Sequence, residues 1–184
     1  MNAENAWTTI ERRTGETEIT LELRLRGNGH ANVEAEPYFL RHMLETLARH
    51  GGLDLELRAS GEDEHHLIED AGIALGHGIR QALPDLKIAR IAHAVVPMDD
   101  ALVMAAVDLV DRPYAAVELP DGMYAHMLRS LALDGNLTLH VRPLAGEAPH
   151  HVVEAAFKAL GRALDQAVAP ASEVASTKGE VTWR

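Results

Sequence analysis

The chain has no cysteine, few aromatic residues and no long apolar run. Without cysteine, its 184 residues cannot form disulfides, thiolate nucleophiles, or cysteine-ligated zinc and iron–sulfur centres. Any bound metal must therefore take nitrogen and oxygen ligands from histidine and carboxylate side chains. Aromatic residues make up 4% of the chain and apolar residues 47%, so we expect a globular protein whose core is built from leucine, alanine, valine and isoleucine.

Basic residues are also scarce. The 17 Lys and Arg residues face 28 Asp and Glu residues, and the formal net charge of −11 disfavours binding to nucleic acid or anionic lipid. The first residues lack the apolar segment of a signal peptide, and no stretch approaches the roughly 20 apolar residues that span a bilayer. We therefore expect a soluble, cytoplasmic protein with no nucleic-acid partner and no membrane partner.

What the chain does have is an internal duplication. The segment HMLETLARHGGLDLELRASGEDEHHLIEDAGIALG, which starts at His42, aligns with one gap to HMLRSLALDGNLTLHVRPLAGEAPHHVVEAAFKALG, which starts at His126. Each copy reads as a helix, a glycine turn, a strand, and a second helix that opens with His-His-x-x-Glu. Histidines and glutamates recur at matched positions, namely His42, His65, His66 and Glu69 in the first copy and His126, His150, His151 and Glu154 in the second. Duplicated ligands suggest duplicated metal sites.

The hydrophobic pattern predicts the elements of each half. Alternating residues over 17–26 and 31–36, separated by the Gly27-Asn28-Gly29 turn, suggest an opening β-hairpin. Further strands are predicted at 53–59, 88–96, 102–110, 114–119 and 137–142. Helices are predicted from Pro37 to about Arg49, at 65–83, near 121–133 and at 150–168.

These elements predict an α+β fold. Two duplicated β-β-α-β-α-like halves would each place a sheet on one side and helices on the other, as a sheet/helix sandwich. Residues 1–86 would form the first half-domain and 87–168 the second, with a C-terminal tail at 169–184.

The His-His-x-x-Glu helices can each serve two ions. The first His and the Glu lie four residues apart and share one face, whereas the second His points about 100° away. Pairing by the symmetry of the repeat predicts two ligand sets, one of His65, Glu69, His126 and His151 and the other of His42, His66, His150 and Glu154. Three imidazoles and one carboxylate suit manganese, iron, cobalt, nickel or zinc.

A single motif of this kind would carry little weight, because an isolated helical histidine is usually structural. Two copies at matched positions favour metal binding. The five remaining histidines lack repeat partners, and we expect surface or structural roles for them.

Further motifs carry a family resemblance. They are RRTGETEI at 12–19, FLRHML at 39–44, HHLIEDAGIALG at 65–76, ARIAHAVVPMDDAL at 89–102, DRPY at 111–114, HHVVEAAFKAL at 150–160 and STKG at 176–179. Through them the chain resembles the imidazoleglycerol-phosphate dehydratase family of histidine biosynthesis, from about Arg13 to Gly179. The resemblance implies an α+β fold similar to the second domain of a small-subunit ribosomal protein.

The resemblance also implies a chemistry. The family is a group of carbon–oxygen lyases, of the hydro-lyase type, that convert imidazole glycerol phosphate to imidazole acetol phosphate. Two manganese(II) ions per active site would hold the imidazole ring as an anion, with other divalent transition metals left open. The ring anion matters because the proton to be removed lies on a carbon without an adjacent carbonyl, and expulsion of the neighbouring hydroxyl makes that carbon more acidic.

Several residues receive roles only through this resemblance. Glu16, in the RxTxET stretch, matches the family's acid or base, with the metal-bound Glu69 and Glu154 as partners. Asp99, in PMDD, is a weaker match, because a turn explains an aspartate there equally well. The substrate phosphate would meet a group of cations and a hydroxyl, namely Arg90, Arg112, Lys158, Ser176 and Lys178. The tail would then close over the substrate.

Some positions depart from the family pattern. Arg41 precedes the first helical histidine, where the family usually has an aspartate that can orient His42 from the second coordination shell. The approach Glu36-Pro37-Tyr38 is altered, and the segments SGEDEHH and VELPDGMYAHML are shorter than usual. The predicted metal ligands are all retained.

Assembly follows from the shared ligands. The family implies a large homo-oligomer, typically of about 24 subunits, with sites at subunit boundaries. If each helix lies on the outside of its own half, helices that share a site must meet between chains.

Two other readings compete with this one. The altered loops would suit a non-catalytic metal-binding or storage homologue, or a dehydratase that acts on a related imidazole phosphate. A phosphate-binding set speaks against storage, which needs no such set. An RNA-binding module is a third class, which the net charge of −11 and the absence of an aromatic, basic face disfavour.

Overall fold

The computed structural model describes residues 6–83 and 87–172, and within these ranges the two halves share one succession of elements. In each half, three strands precede a helix, a fourth strand and a second helix. The first half consists of β1 (Thr8–Arg13), β2 (Thr17–Arg24), β3 (Ala31–Glu34), α1 (Tyr38–Gly51), β4 (Asp54–Gly61) and α2 (Glu64–Ala82). The second half consists of β5 (Ile91–Met98), β6 (Ala101–Asp108), β7 (Tyr114–Val117), α3 (Gly122–Asp134), β8 (Thr138–Ala145) and α4 (Pro149–Ala167).

Each half forms a four-stranded mixed sheet. The strand orders are β1-β2-β4-β3 and β5-β6-β8-β7, so the two sheets have the same topology. Alternate residues of β2, including Ile19, Leu21 and Leu23, are buried, and this period of two directs one face of the sheet inward. The outer face of β2 carries Glu18 and Glu22, which remain in water.

The predicted opening hairpin is wrong. Strand β2 pairs with β1 and β4, whereas β3 pairs in parallel with β4 on its other side. The connection between β2 and β3 passes the start of β4. There the Asp54 side chain accepts hydrogen bonds from the backbone N–H groups of Asn28 (2.7 Å) and His30 (3.1 Å). Strand β1 escaped prediction because Ile10 is its only fully buried residue, which leaves little alternation to detect.

The helices lie between the two sheets. Helices α1 and α2 pack on the first sheet, α3 and α4 pack on the second, and across the middle α1 contacts α4 while α2 contacts α3. This confirms the predicted α+β class with two duplicated sheet-and-helix halves. The helices are not on the outside, so helices from the two halves already meet within one chain. None of the helices in the described ranges combines the length and apolar composition needed to span a bilayer.

Glycine allows the central helix pairs to approach closely at two equivalent places. A Cβ atom on Gly161 would lie 2.7 Å from the Leu47 carbonyl oxygen and 2.9 Å from the Gly51 nitrogen on α1. Gly76 makes the corresponding contacts with the Leu131 carbonyl and with Gly135. Because only glycine fits there, the two backbones approach closely enough for side chains one to two turns earlier to converge.

The first residues after α4 pair with the start of the second half. The backbone of Ala169 and Ala171 is hydrogen-bonded to Ala89 and Lys87, beside a bridge between Ile88 and Pro170. The predicted boundary at residue 86 and most of the predicted tail lie outside the described residues.

The helix contact at Gly161 generates a test. We expect Gly161→Ala to lower the free energy of unfolding of the metal-free protein by about 1–3 kcal/mol, because the added methyl group overpacks the interface between α1 and α4. Helix propensity acts in the opposite direction, so it cannot produce such a loss.

The control is Gly122→Ala at the start of α3, where an added Cβ meets nothing within 4 Å. It should change stability by no more than about 0.5 kcal/mol. Chemical denaturation with chelator present measures both variants. Equal stability of the two would contradict the proposed close contact.

Candidate metal centres

The first cluster of candidate ligands joins α1 to α4. His42 lies on α1, and His150 and Glu154 lie one turn apart on α4. The Glu154 Oε2 atom is 3.1 Å from His42 Nε2 and 3.3 Å from His150 Nε2. Glu154 is only 7% exposed, so it points from the helix interface toward the two imidazoles.

Lys158 completes the surroundings of Glu154. Its Nζ atom donates to Glu154 Oε1 at 2.9 Å, which leaves Oε2 directed at the histidines. Burial by itself would raise the pKa of Glu154, but hydrogen bonds from Lys158 and His42 outweigh it, and the pKa is lowered. The carboxylate is therefore ionised at neutral pH, as metal coordination requires.

The second cluster repeats the first on α2 and α3. The His126 Nε2 atom on α3 is 3.2 Å from the Glu69 Oε1 atom on α2. The ring of His65 lies one turn before Glu69, and its centroid is 5.2 Å from that of His126. The donor atoms within each triad all lie within 4.8 Å of one another. Each triad thus draws ligands from both halves of the chain.

Both triads fit a first-row divalent cation. Ligand bonds of about 2.0–2.2 Å place neighbouring donor atoms about 2.8–3.6 Å apart in octahedral or tetrahedral geometry. The nitrogen–oxygen separations of 3.1, 3.2 and 3.3 Å fall in this range. Two imidazoles and one carboxylate per triad give a nitrogen and oxygen donor set, as expected for a chain without cysteine.

The second histidine of each His-His pair, His66 or His151, lies outside the triad that contains the first. The rings of His65 and His66 are nearly perpendicular, at 83°, and those of His150 and His151 at 86°. Among the described residues, each predicted set of four is therefore represented by three members, without His151 in one set and His66 in the other.

Glu16 lies beside His66, in the turn between β1 and β2. Its Oε2 atom is 3.0 Å from His66 Nδ1, and its side chain is 64% exposed. The turn is anchored to α2 through Asp70, whose carboxylate accepts hydrogen bonds from Arg12 (2.7 Å) and from the Thr17 hydroxyl. Asp70 directly follows the candidate ligand Glu69, so one helix positions both the triad and the Glu16 turn.

The equivalent turn between β5 and β6 contacts His151. Asp99 Oδ2 is 3.5 Å from His151 Nε2, whereas Asp100 Oδ1 is 2.5 Å from His151 Nδ1. The hydrogen bond with His151, aided by two backbone N–H groups, holds the pKa of Asp100 well below its usual range, and Asp100 in turn raises the pKa of His151. Sequence reasoning selected Asp99 and missed Asp100. The signal was available, because Glu16 and Asp100 each directly precede a pseudo-equivalent strand, β2 or β6.

Arg41 does not replace the missing aspartate near His42. Its guanidinium lies over the Tyr38 ring, 5.0 Å from the centroid, and the Tyr38 ring is nearly parallel to that of His42 at 6.2 Å. Two side chains of the altered segment thus form a stack beside His42, in place of a hydrogen-bonding carboxylate.

The predicted phosphate ligands are not gathered in one place within the chain. Lys158 adjoins Glu154, whereas the backbone of Arg90 bonds to Ala167, nine residues further along α4, or about 14 Å at the helical rise. The Arg90 side chain forms an ion pair with Asp108 at 2.8 Å, without hydrogen-bond alignment. Arg112 is exposed beyond β6. Ser176 and Lys178 lie outside the described residues.

His50 has surroundings that the sequence did not indicate. It lines an open hollow beside Glu154, together with Arg49 and Lys158. Burial, followed by the nearby Lys158 and Arg162, lowers the pKa of His50. The absence of a histidine at the repeat-equivalent position concealed it, because Asp134 stands there.

The chain is similar to known proteins of one family. The family model of imidazoleglycerol-phosphate dehydratase matches residues 35–164. The chain is similar to the enzyme of that name from Desulforamulus reducens, at 43% identity over 95% of this chain and 98% of the relative. It is also 48% identical to the Chloroflexus aurantiacus enzyme, over 86% of this chain and 84% of that one.

Solved structures of the same enzyme share the fold. The Pyrococcus furiosus enzyme superposes with a TM-score of 0.83 and 38% identity, covering 94% of this chain and all of that chain. The Staphylococcus aureus enzyme gives a TM-score of 0.79 at 26% identity, covering 90% of this chain and all of that one.

The duplicated triads generate a test of metal content. We expect His65→Ala and His150→Ala each to lower the metal content by about one ion per chain and to reduce the particle size, because each removes one ligand of a three-residue cluster. Elemental analysis after dialysis against Mn(II), together with light scattering, measures both effects.

His93→Ala is the matched control, since His93 is exposed on β5 and has no repeat partner. It should bind metal like the wild type. Unaltered metal stoichiometry in both triad variants would refute the ligand assignment.

Proposed function

The chain belongs to the imidazoleglycerol-phosphate dehydratase family, and we propose that its two triads hold two manganese(II) ions per active site for this family's reaction. The reaction is the dehydration of imidazole glycerol phosphate to imidazole acetol phosphate, a hydro-lyase step of histidine biosynthesis. The observation that carries the metal assignment is the pair of equivalent clusters, each with two imidazoles and one carboxylate. When bound, the cations supply the positive charge that stabilises the substrate's imidazole ring in its anionic form.

The reaction requires four proton movements. The hydroxyl on the carbon next to the ring leaves as water after it takes a proton, and the next carbon loses its C–H proton. The resulting enol becomes a ketone when the carbon next to the ring takes up a proton and the enol hydroxyl loses one. The protein must therefore offer at least one group that exchanges protons at the substrate carbons.

Glu16 is the group that suits this role best. Its carboxylate projects from a short turn that Asp70 ties to α2, and it remains 64% exposed. It therefore combines a fixed backbone with a side chain that can contact a ligand. Glu69 and Glu154 are its candidate partners, although Lys158 holds one oxygen of Glu154 and thereby favours a ligand role for that residue. Asp99, 70% exposed beside His151, remains the weaker candidate.

The positions of His66 and His151 favour association between copies of the chain. Each ring places Nδ1 against a carboxylate of its own chain, at Glu16 and Asp100. The Nε2 atoms then remain as ligands for a metal on another chain. We assign His151 to the set of His65, Glu69 and His126 of a second subunit, and His66 to the set of His42, His150 and Glu154. The family resemblance supports a large homo-oligomer of about 24 subunits with shared sites.

The same association would gather the phosphate ligands. The backbone of Arg90 lies beside Ala167, about 14 Å along α4 from Lys158, and its side chain is paired with Asp108. Neighbouring subunits would bring Arg90 and Arg112 to a substrate whose imidazole is held at the triads, and Lys158, Ser176 and Lys178 would complete the set. The phosphorylated imidazole then bridges positions from more than one subunit.

The assay that tests this function uses metal-loaded and chelated protein. We expect the Mn(II)-loaded protein to convert imidazole glycerol phosphate to imidazole acetol phosphate, and the chelated protein to be inactive, because the ring anion needs cationic stabilisation. Product ketone and bound metal are measured on the same sample. Substrate binding without conversion would favour the storage reading or another imidazole phosphate as the true substrate.

A second test concerns the phosphate. We expect Arg112→Gln to lower kcat/KM about 10- to 100-fold, since a charge-assisted hydrogen bond is worth about 1.5–3 kcal/mol. The effect should be mainly on KM, with metal content unchanged.

Arg58→Gln serves as the control, because Arg58 is an exposed arginine of β4 whose ion pair is with Glu34. Steady-state kinetics compare the two variants. Equal kinetic constants for Arg112→Gln and the wild type would remove Arg112 from the phosphate site.

A further inference from the structure

Asp100 uses both oxygens of its carboxylate. Oδ1 is 2.5 Å from His151 Nδ1, while Oδ2 accepts hydrogen bonds from the backbone N–H groups of Glu147 (2.6 Å) and Ala148 (3.0 Å). The side chain therefore joins the turn between β5 and β6 to the first residues of α4. Ala148, the N-cap residue of α4, has no side-chain oxygen with which to cap the helix itself.

In the first half the helix start and the histidine ring are served by two separate residues. At the position equivalent to Ala148 stands Asp63, which caps α2 by accepting from the His66 backbone N–H at 2.9 Å. The contact with the ring of His66 comes from Glu16, at 3.0 Å. In the second half the ring contact comes from Asp100, whose other oxygen accepts from main-chain donors directly before α4 and so holds the side chain in place.

We propose that Asp100 is a positioning residue that fixes the ring and the tautomer of His151, so that Nε2 is presented as a metal ligand. The proposal rests on the assignment of His151 as a ligand under the proposed function. A carboxylate accepts a hydrogen bond from Nδ1–H, and the neutral ring then carries its lone pair on Nε2. Carboxylates that hold ligand histidines in this way typically affect metal affinity about 10- to 100-fold.

The contact with His151 is separate from the anchoring of the Asp100 side chain. Oδ2 accepts from the backbone directly before α4, and the Oδ1 contact with His151 is additional. Nothing in this anchoring requires the His151 ring, because the two backbone donors belong to Glu147 and Ala148. Asp99, the other carboxylate of the turn, faces Nε2 at 3.5 Å and so marks the side from which a cation would approach.

Asp100→Asn separates the two roles by chemistry. Its amide oxygen still accepts from the two backbone N–H groups, which leaves the NH₂ group facing His151 Nδ1. That group must donate, so the ring is driven to the tautomer with a proton on Nε2, which cannot bind metal. We expect the Tm of the metal-free protein to fall by less than in Asp100→Ala, because the backbone hydrogen bonds remain while the negative charge is lost. The Mn(II) affinity should fall about 10- to 100-fold, measured by competition with a chelator.

A second pair of variants separates stability from the ring contact. Asp100→Ala should lower both the Tm of the metal-free protein and its Mn(II) affinity. Adding Ala148→Asp copies the capping residue of the first half and supplies a cap that α4 lacks, since the backbone is extended at both positions. The double variant should regain the Tm while its Mn(II) affinity stays low. Recovery of the affinity together with the Tm would mean that Asp100 acts only through stability, and would overturn the proposal.

His151→Ala distinguishes this inference from the function on which it rests. A lowered Mn(II) affinity in His151→Ala, with wild-type affinity in Asp100→Asn, overturns the positioning role alone. Unchanged affinity in His151→Ala removes His151 from the ligand set and overturns both. The expected affinity pattern without any dehydration of substrate would support the positioning role and refute the catalytic function.

Discussion

The close packing of helices from opposite halves is the constraint on which the sites depend. Helix α1 reaches α4 at Gly161, and α2 reaches α3 at Gly76, in two equivalent contacts that admit no side chain. Each contact lies one to two turns beyond a triad and sets the distance across which His42 or His126 meets a glutamate. A larger residue at either glycine would separate ligand atoms that now lie 3.1–3.3 Å apart. The core that stabilises the fold therefore also determines the spacing of the candidate ligand atoms.

Neighbouring charges keep the buried carboxylate of Glu154 ionised. Glu154 is almost completely buried, and burial alone would favour its protonated, non-coordinating form. Lys158 prevents this by donating to the oxygen that does not face the histidines. The equivalent position in the first half is Ile73, and there Glu69 is more exposed. The two clusters thus have the same residue types in different surroundings, with the glutamate beside a cation in one and in contact with water in the other.

The duplication also accounts for a feature that the halves share: in each, a turn between two strands approaches the second histidine of the His-His pair, His66 or His151. Both halves bring a carboxylate from the turn before a strand to an Nδ1 atom, with Glu16 in one half and Asp100 in the other. Asp100 is held by backbone N–H groups directly before α4, whereas Glu16 has a longer side chain and is more exposed. The two halves thereby carry equivalent carboxylates in different surroundings, one fixed by main-chain donors and one exposed.

The sequence by itself determined the duplication, the class of fold, the helices and the identity of the candidate ligands, because periodicity and repeat spacing are local properties of the chain. His65 and Glu69 are four residues apart, so their side chains share one face of the helix whatever that helix packs against. Tertiary structure decided what no local pattern encodes, namely that β3 pairs in parallel with β4, that helices of the two halves pack against each other, and that His42 lies beside His150 and Glu154. It also revealed Asp100 and His50, whose surroundings come from residues far away in the sequence. The physical reason is that spacing fixes direction along one element, whereas distance between elements is set by packing across the whole core.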